Sequence, residues 1–354
     1  MATLWFWLLA GMLAVYVVLD GFDLGAGALH WLITESEEER DLVVRSVGPL
    51  WDGNEVWLVA AGGTLYFAFP ALYAASFSGF YLPLIIVLWL LVLRGAALEF
   101  RGHLRHPVWT PFWDATFAAA SGTLAVFLGV ALGNVVRGVP LDGEGWFFAP
   151  LWTDWRVTGE VGILDWYTLL VGLTAAAALA MHGGLWIGLK TRPPLRERAR
   201  RWAGRAWWAT LVLTGAVTAA TWIVQPLVPA GLAERPWGWV FPTAALAGLG
   251  LVRRELSAGG EEPDDAGDRR AFAGSTTYLA AMLASAAAGL YPYVLPALSD
   301  PAAGLTASGA AAPENGLRIG LAWWIPGMVL AVAYFVFLYR GFAGRVDAEA
   351  GGHY

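Results

Sequence analysis

The chain has 354 residues, 58% hydrophobic and only 14% charged, against about 25% charged in an ordinary soluble domain. That excludes a soluble enzyme, a disordered chain and a collagen-like one. A net charge of -6 with no basic domain disfavours nucleic-acid binding. The absence of cysteine removes disulfides and thiolate metal sites.

Taken in chain order, the uncharged runs predict nine membrane-spanning helices. The first covers 4–30; it lacks the basic leader of a cleavable signal and is expected to be retained. The run 56–93 would reach roughly 57 Å as one helix, against a hydrocarbon core of about 30 Å. Pro70 divides it, so helices are expected over 51–70 and 76–98, with a tight turn near Pro70–Ser76. Further spans follow over 114–136, 164–189, 205–226, 237–254, 270–296 and 318–340, the seventh short and bearing Pro242. Backbone groups must pair internally in lipid, which makes these runs helices. No segment has the alternating polarity of a membrane barrel.

The connections are small. Val139–Ile163 is the longest on its side and carries Trp146, Phe147, Trp152 and Trp155 as expected interfacial anchors. Glu35–Arg45 is a charged loop, and Glu261–Asp268 is an acidic one with Gly and Pro. Alternate connections hold 18 Lys+Arg on one side and four (Arg137, Arg156, Arg235 and Arg318) on the other. Positive charge stays inside, so the N-terminus is expected outside and the C-terminus in the cytoplasm, with Lys190–Arg205 as the main anchor.

Charge inside a span is expensive, about 2.5–3.5 kcal/mol for a central Asp on insertion scales, and marks function. Asp20 and Asp23 lie three apart, on one helix face, among Gly21, Gly25 and Gly27, where a neighbour can approach closely. Asp52 and Glu55 open the second span on the side where the first one ends. Together the four acids read as a carboxylate line suited to moving protons, with helix capping the plainer account of Asp52. Arg94, Glu99 and Arg101 close the third span as an expected interfacial charge cluster.

His182 is the one histidine well inside a span; His30, His103 and His106 lie at cytoplasmic boundaries and His353 in the tail. A lone helical histidine is more often a hydrogen-bonded packing residue than a ligand. No two spans supply a pair of deep histidines, which argues against bis-histidine haem within this chain. No metal site is expected, and Gly25 with Gly27 is no dinucleotide fingerprint, because no strand precedes it.

The segment Asp20-Gly21-Phe22-Asp23-Leu24-Gly25, followed by Gly48-Pro49-Leu50-Trp51-Asp52-Gly53-Asn54-Glu55-Val56-Trp57-Leu58, resembles subunit II of the cytochrome bd-type quinol oxidases. The stretches Phe67-Ala68-Phe69-Pro70 and Gly289-Leu290-Tyr291-Pro292-Tyr293-Val294-Leu295-Pro296 extend the likeness, which runs end to end. The resemblance implies an all-α membrane protein of two four-helix bundles plus one further helix: a single unit over 1–354, with 1–136 as the first bundle and 164–340 as the second bundle and final helix. It implies a bacterial cytoplasmic-membrane respiratory complex that oxidises quinol and reduces oxygen to water. Haems b558, b595 and d belong to the partner, subunit I, and this chain ligates none. Asp20, Asp23, Trp51 and Trp57 are then expected near the partner's haems, and the acids match positions on a cytoplasmic proton route. A small single-helix subunit and membrane lipid complete the expected partners. The alternative from another class is a proton-coupled secondary transporter working through Asp20 and His182. Pro70 and Pro242 do not occupy corresponding places in two halves, which counts against it.

Overall fold

A computed structural model describes residues 1–258, 265–298 and 300–346. Residues 261–264 of the acidic loop expected over 261–268, and His353, lie outside the described residues; Asp265–Asp268 form the first turn of a helix instead. The chain is a helical membrane protein. Its helices are α1 (Ala2–Ile33), α2 (Glu37–Val47), α3 (Trp51–Ala68), α4 (Pro70–Gly79), α5 (Tyr81–Phe100), α6 (Trp109–Arg137), α7 (Trp166–Lys190), α8 (Leu195–Val224), α9 (Leu227–Glu234), α10 (Val240–Ser257), α11 (Asp265–Leu290) and α12 (Glu314–Gly341). One small antiparallel hairpin, β1 (Tyr293–Leu295) with β2 (Leu305–Thr306), lies between α11 and α12.

Seven of these helices, α1, α5, α6, α7, α8, α11 and α12, are long and apolar enough to cross a membrane. The expected second and seventh spans are α3 and α10, each of 18 residues. At 1.5 Å per residue each reaches about 27 Å, and each carries charge at one end: Asp52 and Glu55 in α3, Arg253, Arg254 and Glu255 in α10. Other boundaries differ from expectation. Pro70 starts α4 rather than a turn, because proline suits the first helical position, where no donor is needed. The next helix therefore begins at Tyr81. The Arg-rich segment before 205 is largely the first turns of α8. The eighth span stops at Leu290, where Tyr291 and Pro292 turn the chain into the hairpin.

α1 is the axis of the fold and packs on α3, α6, α7 and α11. Small residues allow this. A Cβ at Gly25 would run into the backbone of Leu179 and lie 2.8 Å from the Gly183 nitrogen. At the α6–α7 crossing, a Cβ on Gly129 would fall 2.7 Å from the Gly172 Cα. At the α10–α11 crossing, one on Gly248 would fall 2.6 Å from the Gly274 oxygen. Such glycines let helix backbones meet in lipid, where apolar side chains gain nothing over lipid tails.

The connection 138–165 is pinned from within. Asp165 caps α7, accepting from the Tyr167 and Thr168 amides, while the Thr168 hydroxyl answers its backbone nitrogen. Arg137, at the end of α6, pairs with the same carboxylate and donates to the Gly162 oxygen at 3.1 Å and to Asn134 Oδ1 at 2.8 Å. Both charged groups are buried. Trp146, Trp152 and Trp155 are exposed, as interfacial anchors would be, but Phe147 is buried edge-on against Phe80 and belongs to the core. α12 runs along the outside of the molecule, and Leu317 is its one buried residue.

Candidate functional site

Tyr16, Asp20, Asp23, Gly27 and His30 recur along α1 at steps of four, three, four and three, so they form one stripe on the helix. Asp20 and Asp23 have no exposed surface. α5 brings Arg94, also fully buried, to within 2.6 Å of Asp20 Oδ1. This is an ion pair without hydrogen-bond alignment; the same Nη2 donates to Glu55 Oε2 of α3 at 3.4 Å. The guanidinium also lies 5.9 Å from the centre of the Trp51 ring.

Asn54 ties the site together. Its Nδ2 donates to Asp23 Oδ2 at 2.8 Å and to the Leu19 oxygen at 3.2 Å. Its Oδ1 accepts from the Tyr339 hydroxyl of α12 at 2.8 Å. One amide thus joins α1, α3 and α12.

The site is under-satisfied. Tyr16 Oη, both Asp20 oxygens, Asp23 Oδ1, Arg94 Nε and Nη1, and Trp57 Nε1 are buried without a hydrogen-bond partner among the described residues. Buried polar atoms in folded proteins are nearly always paired, with protein or with ordered water. Two carboxyl groups, of Asp20 and Glu55, contact one guanidinium, and Asp23 lies one turn from Asp20 on the same face of α1.

The other expected residues fall as follows. Asp52 is exposed in the first turn of α3, and no side chain caps that helix, whose N-cap is Leu50. Trp51 packs on α5, where a Cβ at Gly95 would lie 3.1 Å from its ring. Trp57 is buried, with its ring 5.5 Å from Phe335 of α12. The expected trio on α5 is divided: Arg94 belongs to the carboxylate site, Arg101 to a second cluster, and Glu99 is exposed apart from both.

That second cluster surrounds Asp114 at the start of α6. Arg101 Nε donates to its Oδ1 at 2.6 Å, His30 Nε2 lies 2.7 Å from the same oxygen, and Arg40 of α2 is 3.3 Å from Oδ2. Arg101 Nη1 also donates to Asp41 at 2.5 Å. The sequence reading missed Asp114, although it is an acid opening a span thirteen residues after a basic residue that closes one. It also missed the Arg137–Asp165 clamp, for which an Asp followed three residues later by Thr was the available signal.

His182 does not fit the role of a haem ligand. Nδ1 contacts Ser275 Oγ at 2.7 Å, Nε2 contacts the Val18 oxygen at 3.0 Å, and the ring stacks on Phe272 with centroids 4.5 Å apart. Neither nitrogen is left for an axial bond. It is a packing histidine.

A family model described as cytochrome bd terminal oxidase subunit II matches residues 1–342. The chain belongs to the cytochrome bd subunit II family. Among its relatives is the "Probable cytochrome oxidase subunit 2" of Haemophilus influenzae, 32% identical over 98% of this chain and 95% of that protein. The cytochrome bd-I ubiquinol oxidase subunit 2 of Escherichia coli K12 is 29% identical over 97% of this chain and 94% of its own length. The solved structure of the bd oxidase from Geobacillus thermodenitrificans shares the fold, with a TM-score of 0.72 at 17% identity, covering 97% of this chain and 98% of that one. Family membership leaves the transporter alternative without support.

Proposed function

We propose that this chain is the non-haem subunit of a membrane-bound quinol:oxygen oxidoreductase, pairs with a haem-bearing subunit I, and holds a proton route on its first helix. Quinol as substrate is carried by the name of the Escherichia coli relative. Haems b558, b595 and d are assigned to the partner, a small single-helix subunit and lipid to the periphery, and the complex to the bacterial cytoplasmic membrane. With α3 and α10 counted, the chain makes nine spans, N-terminus outside and C-terminus cytoplasmic. In this reading α1–α6 form the first bundle and α7–α11 the second, with α12 as the further helix.

The observation that carries the proton route is the buried trio of Asp20, Asp23 and Arg94 beside the half-buried Glu55, in which Asp20 Oδ2, Asp23 Oδ1 and Arg94 Nε and Nη1 have no hydrogen-bond partner among the described residues. Reduction of oxygen to water consumes protons, and a site away from bulk water needs a polar path to receive them. Asp52, exposed at the head of α3, is the mouth; Glu55, one turn on, is half-buried; Asp23 and Asp20 are the interior. Each carboxyl can hold a proton and release it to a water between it and the next.

The test uses Asp23→Asn and Asp52→Asn in the assembled complex. Asn keeps an oxygen that accepts from Asn54, and Asp52 is exposed, so both variants should fold with full haem content. Oxygen consumption should fall by about tenfold to a hundredfold in Asp23→Asn, toward the lower range of lost acid–base steps. Unchanged turnover in both variants would falsify the route.

A further inference from the structure

The α1 stripe does not end at Asp23. Three residues of one turn separate it from Gly27, and His30 follows on the same face. Gly27 has no side chain, and Ser121 Oγ of α6 occupies the space a Cβ there would need. Ser121 Oγ is buried and has no hydrogen-bond partner among the described residues; the same holds for His30 Nδ1. Asp23 Oδ1 is the third such atom in the row. Below them Asp114, on the same face of α6 as Ser121 two turns on, meets His30 Nε2. Asp114 also lines a cleft of about 250 Å³ together with Trp31, Arg40 and Pro111.

We infer that His30 and Asp114 form a second proton entrance, which delivers to Asp23 along the seam between α1 and α6. The inference rests on the proton-route reading above and adds to it a mouth separate from Asp52 and α3. A proton from the cleft reaches Asp114 and is taken up at His30 Nε2, making the ring an imidazolium. The proton on Nδ1 then passes to water beside Gly27 and Ser121. One proton enters and one leaves; the ring is then neutral with its proton on Nε2, and a ring flip restores the starting form for the next proton. The groups facing His30 are Asp114 of α6, Arg101 at the end of α5 and Arg40 of α2, with Asp41 behind Arg101. The two guanidiniums hold Asp114 in place and meet its charge, which leaves the imidazole to move the proton.

A structural clamp would use the same His30–Asp114 contact, so the test separates the two. The purified complex is assayed for oxygen consumption with excess quinol, its haem content checked by absorbance. His30→Ala should slow turnover about threefold to tenfold, less than the 10²–10⁴ of a sole acid–base group, because the Asp52 mouth remains. Added imidazole, small enough for the space left, should restore a large part of the rate. His30→Gln keeps a donor toward Asp114 but cannot relay a proton, so it should stay slow. Ser121→Ala removes only a hydroxyl with no protein partner; it should assemble and slow turnover about twofold to fivefold. Where His30→Ala does not assemble, His30→Gln and Ser121→Ala decide.

Full turnover in both of these overturns the entrance. So does a loss in His30→Ala that Gln repairs and imidazole does not, which would mark a clamp. Asp23→Asn in the same assay separates the readings. If it alone is slow, the route stands and the His30 mouth is lost. If it too runs at full rate, the route itself is lost.

Discussion

Arg94 shows what one buried side chain can decide. It is the only guanidinium in contact with Asp20 among the described residues, and it reaches Glu55 as well. Removing one partner of a buried ion pair strands the other and costs about 3–5 kcal/mol. Arg94→Gln should therefore lower the melting temperature of the purified complex and its haem retention. The double variant Asp20→Asn with Arg94→Gln should recover part of that loss, since coupled partners are not additive. Equal losses in the single and double variants would show that the pair does not matter to folding. That Asp20 and Asp23 stand out is legible in sequence, because charge inside an apolar run is expensive; Arg94, at the end of its span, reads there only as part of an interfacial cluster. Which carboxyl meets which guanidinium is not legible: the partners come from different helices, and in the sequence Arg94 groups with Glu99 and Arg101 rather than with Asp20. Asp114 escaped notice for a related reason. At the head of a span an acid looks like a boundary residue, and only the fold shows His30, Arg40 and Arg101 converging on it.

At the scale of the element, the long helices follow from uncharged stretches, and their existence was readable throughout. The short pieces were not. α2, α4, α9 and the hairpin are set by local chemistry and by what they rest on rather than by a long apolar signal. Pro70 illustrates this, since the residue that breaks one helix begins the next. The glycines of α1 were legible as a place of close approach, but not which helix approaches. At Gly25 that helix is α7 and the contact is backbone on backbone; at Gly27 it is α6, through the Ser121 side chain. Gly25→Ala should accordingly force α1 and α7 apart and lower thermal stability by about 1–3 kcal/mol, the usual cost of overpacking. Gly62→Ala in α3 meets nothing within 4 Å and should be neutral in the same melting experiment. A loss in Gly62→Ala as large as in Gly25→Ala would contradict the packing account.

For the whole molecule, composition alone indicated a multi-pass membrane protein, and seven helices meet that description by length and apolarity. The proposed orientation is open to direct test. Reporters inserted in the 139–163 connection and after Val346 should report opposite sides of the membrane, with the second in the cytoplasm; the same side for both would refute it. The carboxylate site has one more consequence, for biogenesis. Asp20 and Asp23 leave the ribosome about 70 residues ahead of Arg94, which at ordinary elongation rates is a wait on the order of ten seconds. During that interval α1 must enter the membrane without its counter-charge, against an insertion penalty of about 5–7 kcal/mol for its two acids. The apolar length of Ala2–Ile33 offsets that penalty, and the arrival of α5 at the translocon then locks the newborn first helix in place.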